Sequence, residues 1–433
     1  MSTVSSKRSR DSTIGMLLGV ALNAGAILIA ARSLGATGRG EMVILTLVPT
    51  FGNVLLGLGM TAANVHGVAS GRLTRGVAAG NSLLWALAVP FFVAAIVRVS
   101  GFHEVVAGWV SVEADLLLLA LVLTAAVLGY QQLCGVVQGT GDFAAYRDCR
   151  VVQGLGMFAL IGATAVSGSS SVENMFFAWS AAYGIGALYA LGRSSPVRGL
   201  RVRIGSLFAS LRYGVKAMWT QIWDIMNVRA DQVVVATLAD ARVLGIYSVA
   251  VAISELLFHI PNALALVVFS ESATGSNAGR TRGLGVFAGR VLAAAFAAAL
   301  LLAGFTWLAL PLVVGSEFSS AALGVLILGP GVAILSSARI LGAHEMGDGR
   351  PHVPGFGAAV SVVVTIVVDI VLVPRLGLSG AALGASLGYA CAALTVMGLF
   401  GRNNRVDVSP LIQDGVRDMV RFVVRRHKAE RHA

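Results

Sequence analysis

A chain of 433 residues that is 56% apolar and 12% charged, with a mean hydropathy of +0.81, has about half of the roughly 25% charge typical of soluble domains. Its 32 Lys and Arg outnumber 21 Asp and Glu, yet the basic residues sit in short loops between apolar runs with no recognition motif, which excludes a nucleic-acid-binding surface. Cys134, Cys149 and Cys391 lie in or beside apolar runs without CxxC spacing, which excludes a disulfide framework and a cysteine-based zinc site.

A short basic N-terminus leads into an apolar segment that continues as a full span, so no cleavable signal is expected. Membrane spans are predicted at about 13–31, 42–64, 77–97, 115–137, 149–167, 174–192, 213–236, 243–268, 285–313, 319–341, 355–373 and 379–400, most near the twenty residues that cross a hydrocarbon core of about 30 Å. The fold class is therefore all-α integral membrane, with about twelve transmembrane helices. Residues 193–212 form the longest basic connection and divide the chain into an N-terminal half, 1–192, and a C-terminal half, 213–400. The halves suggest a parallel repeat, since the turn Leu34 to Gly40 after span 1 has a counterpart in Leu238 to Gly245 after span 7.

Orientation follows from the loops. One side carries 26 Lys and Arg, among them Lys7, Arg8, Arg10, Arg198, Arg280, Arg425, Arg426, Lys428 and Arg431, and the other carries five. The positive-inside rule makes both termini cytoplasmic. In the tail, 401–433, Pro410 marks a helix start, and Leu411, Ile412, Val416, Met419, Val420 and Val423 recur opposite Arg417, Arg421 and Arg425. Such a helix is expected to lie on the cytoplasmic leaflet, attracted to anionic lipid, unless the tail is simply solvated.

Ionisable groups within a span are costly and point to function. On span 7, Gln221, Asp224, Asn227, Asp231 and Gln232 fall within an arc of about 140° at 100° per residue. Lys216 borders that arc and Arg229 lies beyond its other edge. Span 8 aligns Ser248, Glu255, His259 and Asn262, with Pro261 expected to bend it. Span 2 carries Thr46, Thr50, Asn53, Gly57 and Asn64, and span 4 ends with Tyr130, Gln131, Gln132 and Gln138. Spans 1, 2, 7 and 8 are expected to line a hydrated cavity. Arg32, Lys216 and Arg229 would supply positive potential for a diphosphate; Asn53, Gln131, Gln221 and Asn227 would line it. Asp224, Asp231 and Glu255 are candidates for coupling to protons or sodium. The alternative is interhelical pairing that only fixes packing. Asp369, near the end of span 11, reads as snorkelling to the interface.

Catalytic signals are absent. Gly139 to Ala144 and Gly57 to Ala62 fit GxGxxA, but neither follows a strand. His344-Glu345-Met346-Gly347-Asp348 lacks the second His of a zinc-protease helix, and there is no GxxxxGK[ST] loop. A transporter rather than an enzyme is expected, and no cofactor.

Several segments together resemble the polysaccharide (O-antigen type) flippases of the multidrug/oligosaccharidyl-lipid/polysaccharide exporter superfamily. They are Ala31-Arg32-Ser33-Leu34-Gly35 with Gly40, Gly57 to Ala63, Leu211 to Gly214, Arg229-Ala230-Asp231, Leu244 to Ala250, Val314 to Phe318 and Val373 to Ala382. The resemblance implies two six-helix bundles around a central cleft in a bacterial cytoplasmic (inner) membrane. It also implies alternating-access transfer of undecaprenyl-diphosphate-linked oligosaccharide to the outer leaflet. Partners would be membrane lipid, the lipid-linked glycan, and a polysaccharide polymerase and glycosyltransferases. Two other readings stand beside it: a cation-coupled drug exporter of the same fold, and a non-transporting scaffold of a glycan-assembly complex.

Overall fold

The computed structural model describes the backbone except for residues 1, 111, 195–198, 273–277 and 432–433, and excludes the side chains of 2–14, 16–17, 220, 270, 278–280 and 422–431. Of the basic residues named above, Lys7, Arg8, Arg10, Arg198, Arg280, Arg425, Arg426, Lys428 and Arg431 thus lie outside the described residues, as does Val423. Among the described residues there is no strand. The chain forms two compact units, residues 1–225 with 240–245, and residues 226–239 with 246–433.

The first unit begins with α1 (Ser2–Leu55), which carries spans 1 and 2 as two helices joined at Gly35. There the backbone takes φ 69° and ψ −178°, a conformation open essentially to glycine alone. The chain breaks again before α2 (Met60–Ala69), with positive φ at Leu58 (45°) and Gly59 (68°). In hydrocarbon a broken helix must recover partners for its freed backbone groups inside the protein. Here Trp85 of α3 (Arg75–Ser100) donates its indole N–H to the Leu56 carbonyl at 2.7 Å. The fold continues through α4 (Phe102–Ala107), α5 (Ala114–Gly139), α6 (Phe143–Val166) and α7 (Val172–Ser194). Buried Asn64 of α2 ties two neighbours, donating to Ser82 Oγ of α3 at 2.8 Å and to the Gln132 carbonyl of α5 at 3.1 Å.

The connection expected over 193–212 is shorter. From Ile204 the chain is already helical, as α8 (Ile204–Leu238). The stretch before it docks on α3, where Asn81 accepts from Arg203 N at 2.9 Å and the Gly76 carbonyl accepts from Arg201 N at 3.2 Å. The start of α9 (Ala241–Glu255) also belongs to this unit. A Cβ on Gly40 would overlap the Ala241 carbonyl, and one on Gly245 the Ala36 carbonyl. The two turns whose likeness suggested a repeat are therefore packed backbone to backbone.

The second unit comprises the rest of α8 and α9, then α10 (His259–Ser272), α11 (Ala278–Val313), α12 (Ala321–Gly347), α13 (His352–Leu376), α14 (Leu378–Asn404) and α15 (Val408–Arg431). Span 8 runs without a gap but tightens to a 3₁₀ turn at Leu256–Phe258 between α9 and α10, with Pro261 just after it. Spans 2 and 8, which hold the same place in each half, thus both depart from regular α-helix, span 2 by a break and span 8 by this tightened turn.

Fully buried Glu345 ties together one end of this unit. It accepts from Asn403 and Asn404 at 2.7 Å each and from Arg350 Nε at 3.2 Å. Its neighbour His344 is 2.8 Å from Ser272 Oγ. The His344-Glu345 pair, meaningless as a zinc motif, is a structural clamp. The tail helix does not rest its whole apolar face on lipid, as expected. Leu411 and Ile412 pack against Gly285 and Gly289 of α11 instead, because two glycines four residues apart open a notch on that helix.

Among the described residues ten helices are long and apolar enough to cross a bilayer. The first of them, Leu18–Leu55, contains the Gly35 junction, and α8, left out of that set, carries the polar stripe of span 7.

Gly40→Val or Gly245→Val should lower the melting temperature of the purified protein, with overpacking costing about 1–3 kcal/mol. Gly162→Ala, with nothing within 4 Å of the new carbon, should not lower it. Thermal shift in detergent checks both.

Candidate functional site

The polar stripe of span 7 is shared between the two units. In the first, Gln221 is half-buried and Asp224 exposed, and Arg32 and Lys216 also expose their side chains. Asn53 lies in the last turn of α1, just before the break, and Gln131 is half-buried on α5. The next residue, Gln132, is fully buried, with neither side-chain atom hydrogen-bonded.

In the second unit, α8 and α9 bring Arg229, Asp231 and Glu255 together. Arg229 grips both carboxylate oxygens of Glu255, at 2.8 and 3.4 Å. A guanidinium fork matches a carboxylate edge, so this geometry is favourable. Arg229, expected to meet a diphosphate, and Glu255, expected to couple to an ion, are thus paired with each other in this structure.

Asp231 differs. It is 4% exposed, accepts from the Tyr247 hydroxyl at 2.5 Å through Oδ2, and accepts the Gln232 N–H at 2.7 Å through Oδ1. Both bonds come from neutral groups, so its charge is solvated without being cancelled. Asn227, one turn away, has a buried Oδ1 with no partner.

Asp369 is the residue that sequence reasoning misjudged. It does not snorkel: it is fully buried on α13, and neither carboxylate oxygen has a hydrogen-bond partner. Gly384 of α14 makes room for it, since a Cβ there would overlap Oδ1. One turn earlier, Thr365 faces Gly388 in the same manner, and its hydroxyl lies 3.5 Å from the Gly384 carbonyl. The charge of Asp231 acts on Asp369, and both act on Tyr247. Tyr389 of α14 feels Asp231, Glu255, Arg229 and Arg339, and packs edge-on to Phe258 in the 3₁₀ turn of span 8 at 6.0 Å between centroids. Arg339 lies 4.0 Å over the other ring of that contact, Phe258, and is bonded to Asn262. The signal available in the sequence was the pair of i, i+4 patterns, Thr365 with Asp369 and Gly384 with Gly388, on consecutive spans.

The result is a buried centre formed by α8, α9, α13 and α14. Within it Arg229 and Glu255 pair with each other, and among the described residues neither Asp231 nor Asp369 has an ion-pair partner. Among the described residues no group of three or more His, Cys, Asp or Glu could hold a metal. Asp231 has the Tyr247 hydroxyl beside it, and Asp369 lies near Thr365 and Gly384.

No protein-family model matches this sequence, and no curated protein matches it as a relative. Solved structures do match in fold. A multidrug resistance MATE family transporter of the MOP superfamily, in an inward-facing conformation, is 16% identical with a TM-score of 0.69, over 93% of this chain and 99% of that one. The lipid II flippase MurJ, in an inward closed conformation, is 11% identical with a TM-score of 0.70, over 95% of this chain and 91% of that one. A mutant of the Vibrio cholerae MATE transporter VcmN is 14% identical with a TM-score of 0.60, over 92% and 97%. The likeness runs through nearly the whole of each chain and establishes the fold.

The two kinds of carboxylate should respond to neutralisation in opposite ways. Glu255→Gln strands Arg229 and should destabilise by about 1.5–3 kcal/mol, and replacing both partners by Met should recover most of that loss. Asp369→Asn removes a buried group with no partner and should leave the melting temperature unchanged or higher. Thermal unfolding in detergent at neutral pH measures all three.

Proposed function

We propose that this chain is a transporter, not an enzyme, that carries polyprenyl-diphosphate-linked oligosaccharide across a bacterial inner membrane. Its termini lie in the cytoplasm, its cargo moves to the outer leaflet by alternating access, and a proton or monovalent cation at Asp231 and Asp369 drives the cycle. The observation that carries the transport reading is the fold, shared through nearly the whole chain with a MATE transporter and with MurJ, in which span 2 breaks at Leu58 and Gly59 and span 8 tightens to a 3₁₀ turn at the corresponding place. Irregular helices in corresponding positions of two repeats are where transporters bind cargo and ions, because non-helical backbone survives in a bilayer only where protein or water meets it.

The exposed cations of the first unit support the anionic cargo. Arg32 and Lys216, both exposed, are the candidates for a diphosphate, and guanidinium and phosphate form paired, charge-assisted hydrogen bonds. Asn53, Gln131 and Gln221 are uncharged hydrogen-bonding groups suited to sugar hydroxyls. Glycosyltransferases on the cytoplasmic side would supply such a cargo and a polymerase on the far side would consume it. The buried carboxylate pair equally suits a second reading, a cation-coupled exporter of small molecules. The two share a drive and differ in cargo.

Flipping of a labelled polyprenyl-diphosphate sugar in proteoliposomes separates them. The wild type should flip it, and Arg32→Gln with Lys216→Gln should slow flipping roughly 10- to 100-fold, from about 1.5–3 kcal/mol for a charged hydrogen bond. Asp369→Asn should abolish dependence on a proton or sodium gradient. Absence of flipping beside gradient-driven uptake of a cationic dye would establish the exporter instead.

A further inference from the structure

The tail helix α15 is strapped to α11. Gly285 and Gly289 seat Leu411 and Ile412, Gly415 lies against the backbone of Val286, and Arg290 pairs with Asp418 at 2.9 Å. To reach α11 the chain turns sharply at Arg405, whose φ is 54°. Beneath this elbow a groove of about 530 Å³ runs along α14, within the roughly 300–1,000 Å³ usual for small-ligand sites.

The groove is graded along its length. Leu394, Met397, Gly398 and Arg402 share one face of α14, and Val406 and Ile412 close the opposite wall. Leu394, inside the apolar span, is 64% exposed, so this end opens toward hydrocarbon. The other end carries Arg402, with Arg405 beside it on the elbow. Among the described residues neither has an ion-pair partner. Asp407, the acidic group of the lining, is engaged in the turn and accepts from Ser409 N at 3.1 Å. From Leu394 to Arg402 is about 12 Å at 1.5 Å per residue, most of the roughly 15 Å half-thickness of a hydrocarbon core. An apolar trough ending in a guanidinium at that depth has the form of a lipid, acyl chain below and headgroup phosphate above.

We propose that this groove binds one anionic glycerophospholipid, with an acyl chain over Gly398 between Leu394, Met397 and Ile412 and its phosphate on Arg402. The lipid fills the space under the elbow and fastens α15 to the bundle from the side that α11 does not reach. This site stands apart from the cargo and coupling residues and does not rest on the transport reading.

Native mass spectrometry of the full chain, titrated with phosphatidylglycerol or phosphatidylcholine of matched acyl chains, tests it. The wild type should retain one phosphatidylglycerol, with a preference of roughly tenfold over phosphatidylcholine. Gly398→Leu should lose both lipids while keeping its melting temperature, since nothing lies within 4 Å of a Cβ placed there and the rest of the side chain extends into the groove. Arg402→Gln should lose the preference for the anionic lipid. Arg417→Gln with Arg421→Gln, which alters the exposed face of α15 outside the groove, should retain the bound lipid. Wild-type binding by Gly398→Leu would overturn the proposal, as would equal affinity for the two lipids. Loss of lipid in the α15 double variant alone would place it on the helix surface and overturn the groove.

Discussion

Hydrocarbon offers no hydrogen bonds, so every polar group that this chain carries into the membrane must find its partner in the protein or go without. Most of the architecture follows from that constraint. The interior of each long helix is self-sufficient, and departures from helix occur where a neighbour compensates for them. Leu56 loses its place in a helix and gains the indole of Trp85. The 3₁₀ turn of span 8 follows Glu255, which pairs with Arg229, and carries Phe258, against which Tyr389 and Arg339 pack. Where compensation is missing, as at Asp369, the absence is itself informative.

The same solvent removes the usual reason for helices to associate, because lipid tails are as apolar as leucine. Close backbone approach takes over, and glycine permits it. The contacts of Gly40 with Ala241, Gly59 with Gly214, and Gly285 and Gly289 with the tail helix are all of this kind. At Gly40, Gly59 and Gly289 backbone meets backbone, and at Gly285 the Leu411 side chain fills the space, so adding one carbon disturbs each contact.

Much of this was legible in the sequence. Apolar runs located the spans, since hydropathy and length report directly on the cost of crossing a bilayer, and the polar stripe of span 7 marked the helix that supplies Arg229 and Asp231. The junction of spans 1 and 2 was legible as the turn Leu34 to Gly40, which the structure narrows to Gly35 in a rare conformation. Two features were not legible. Arg229 and Glu255 lie 26 residues apart on different spans, and periodicity on one helix cannot show what the next presents to it. Asp369 was read from its distance to the end of an apolar run, which measures depth; what decides its environment is the direction it faces, set by Gly384 on the following helix.

The two charged motifs of the C-terminal unit therefore separate by their bookkeeping of charge. Arg229 with Glu255 is closed: the pair sums to zero, and removing one partner leaves a charge that the surroundings cannot solvate. Asp231 with Asp369 is open: two carboxylates in reach of each other's field, one held by neutral donors and one by none. A closed pair fixes helices at one distance and has no need of the medium. Gly384 gives Asp369 its space without supplying a donor, so the surroundings of this carboxyl are set by a side chain that the following helix omits rather than by a polar partner that it provides.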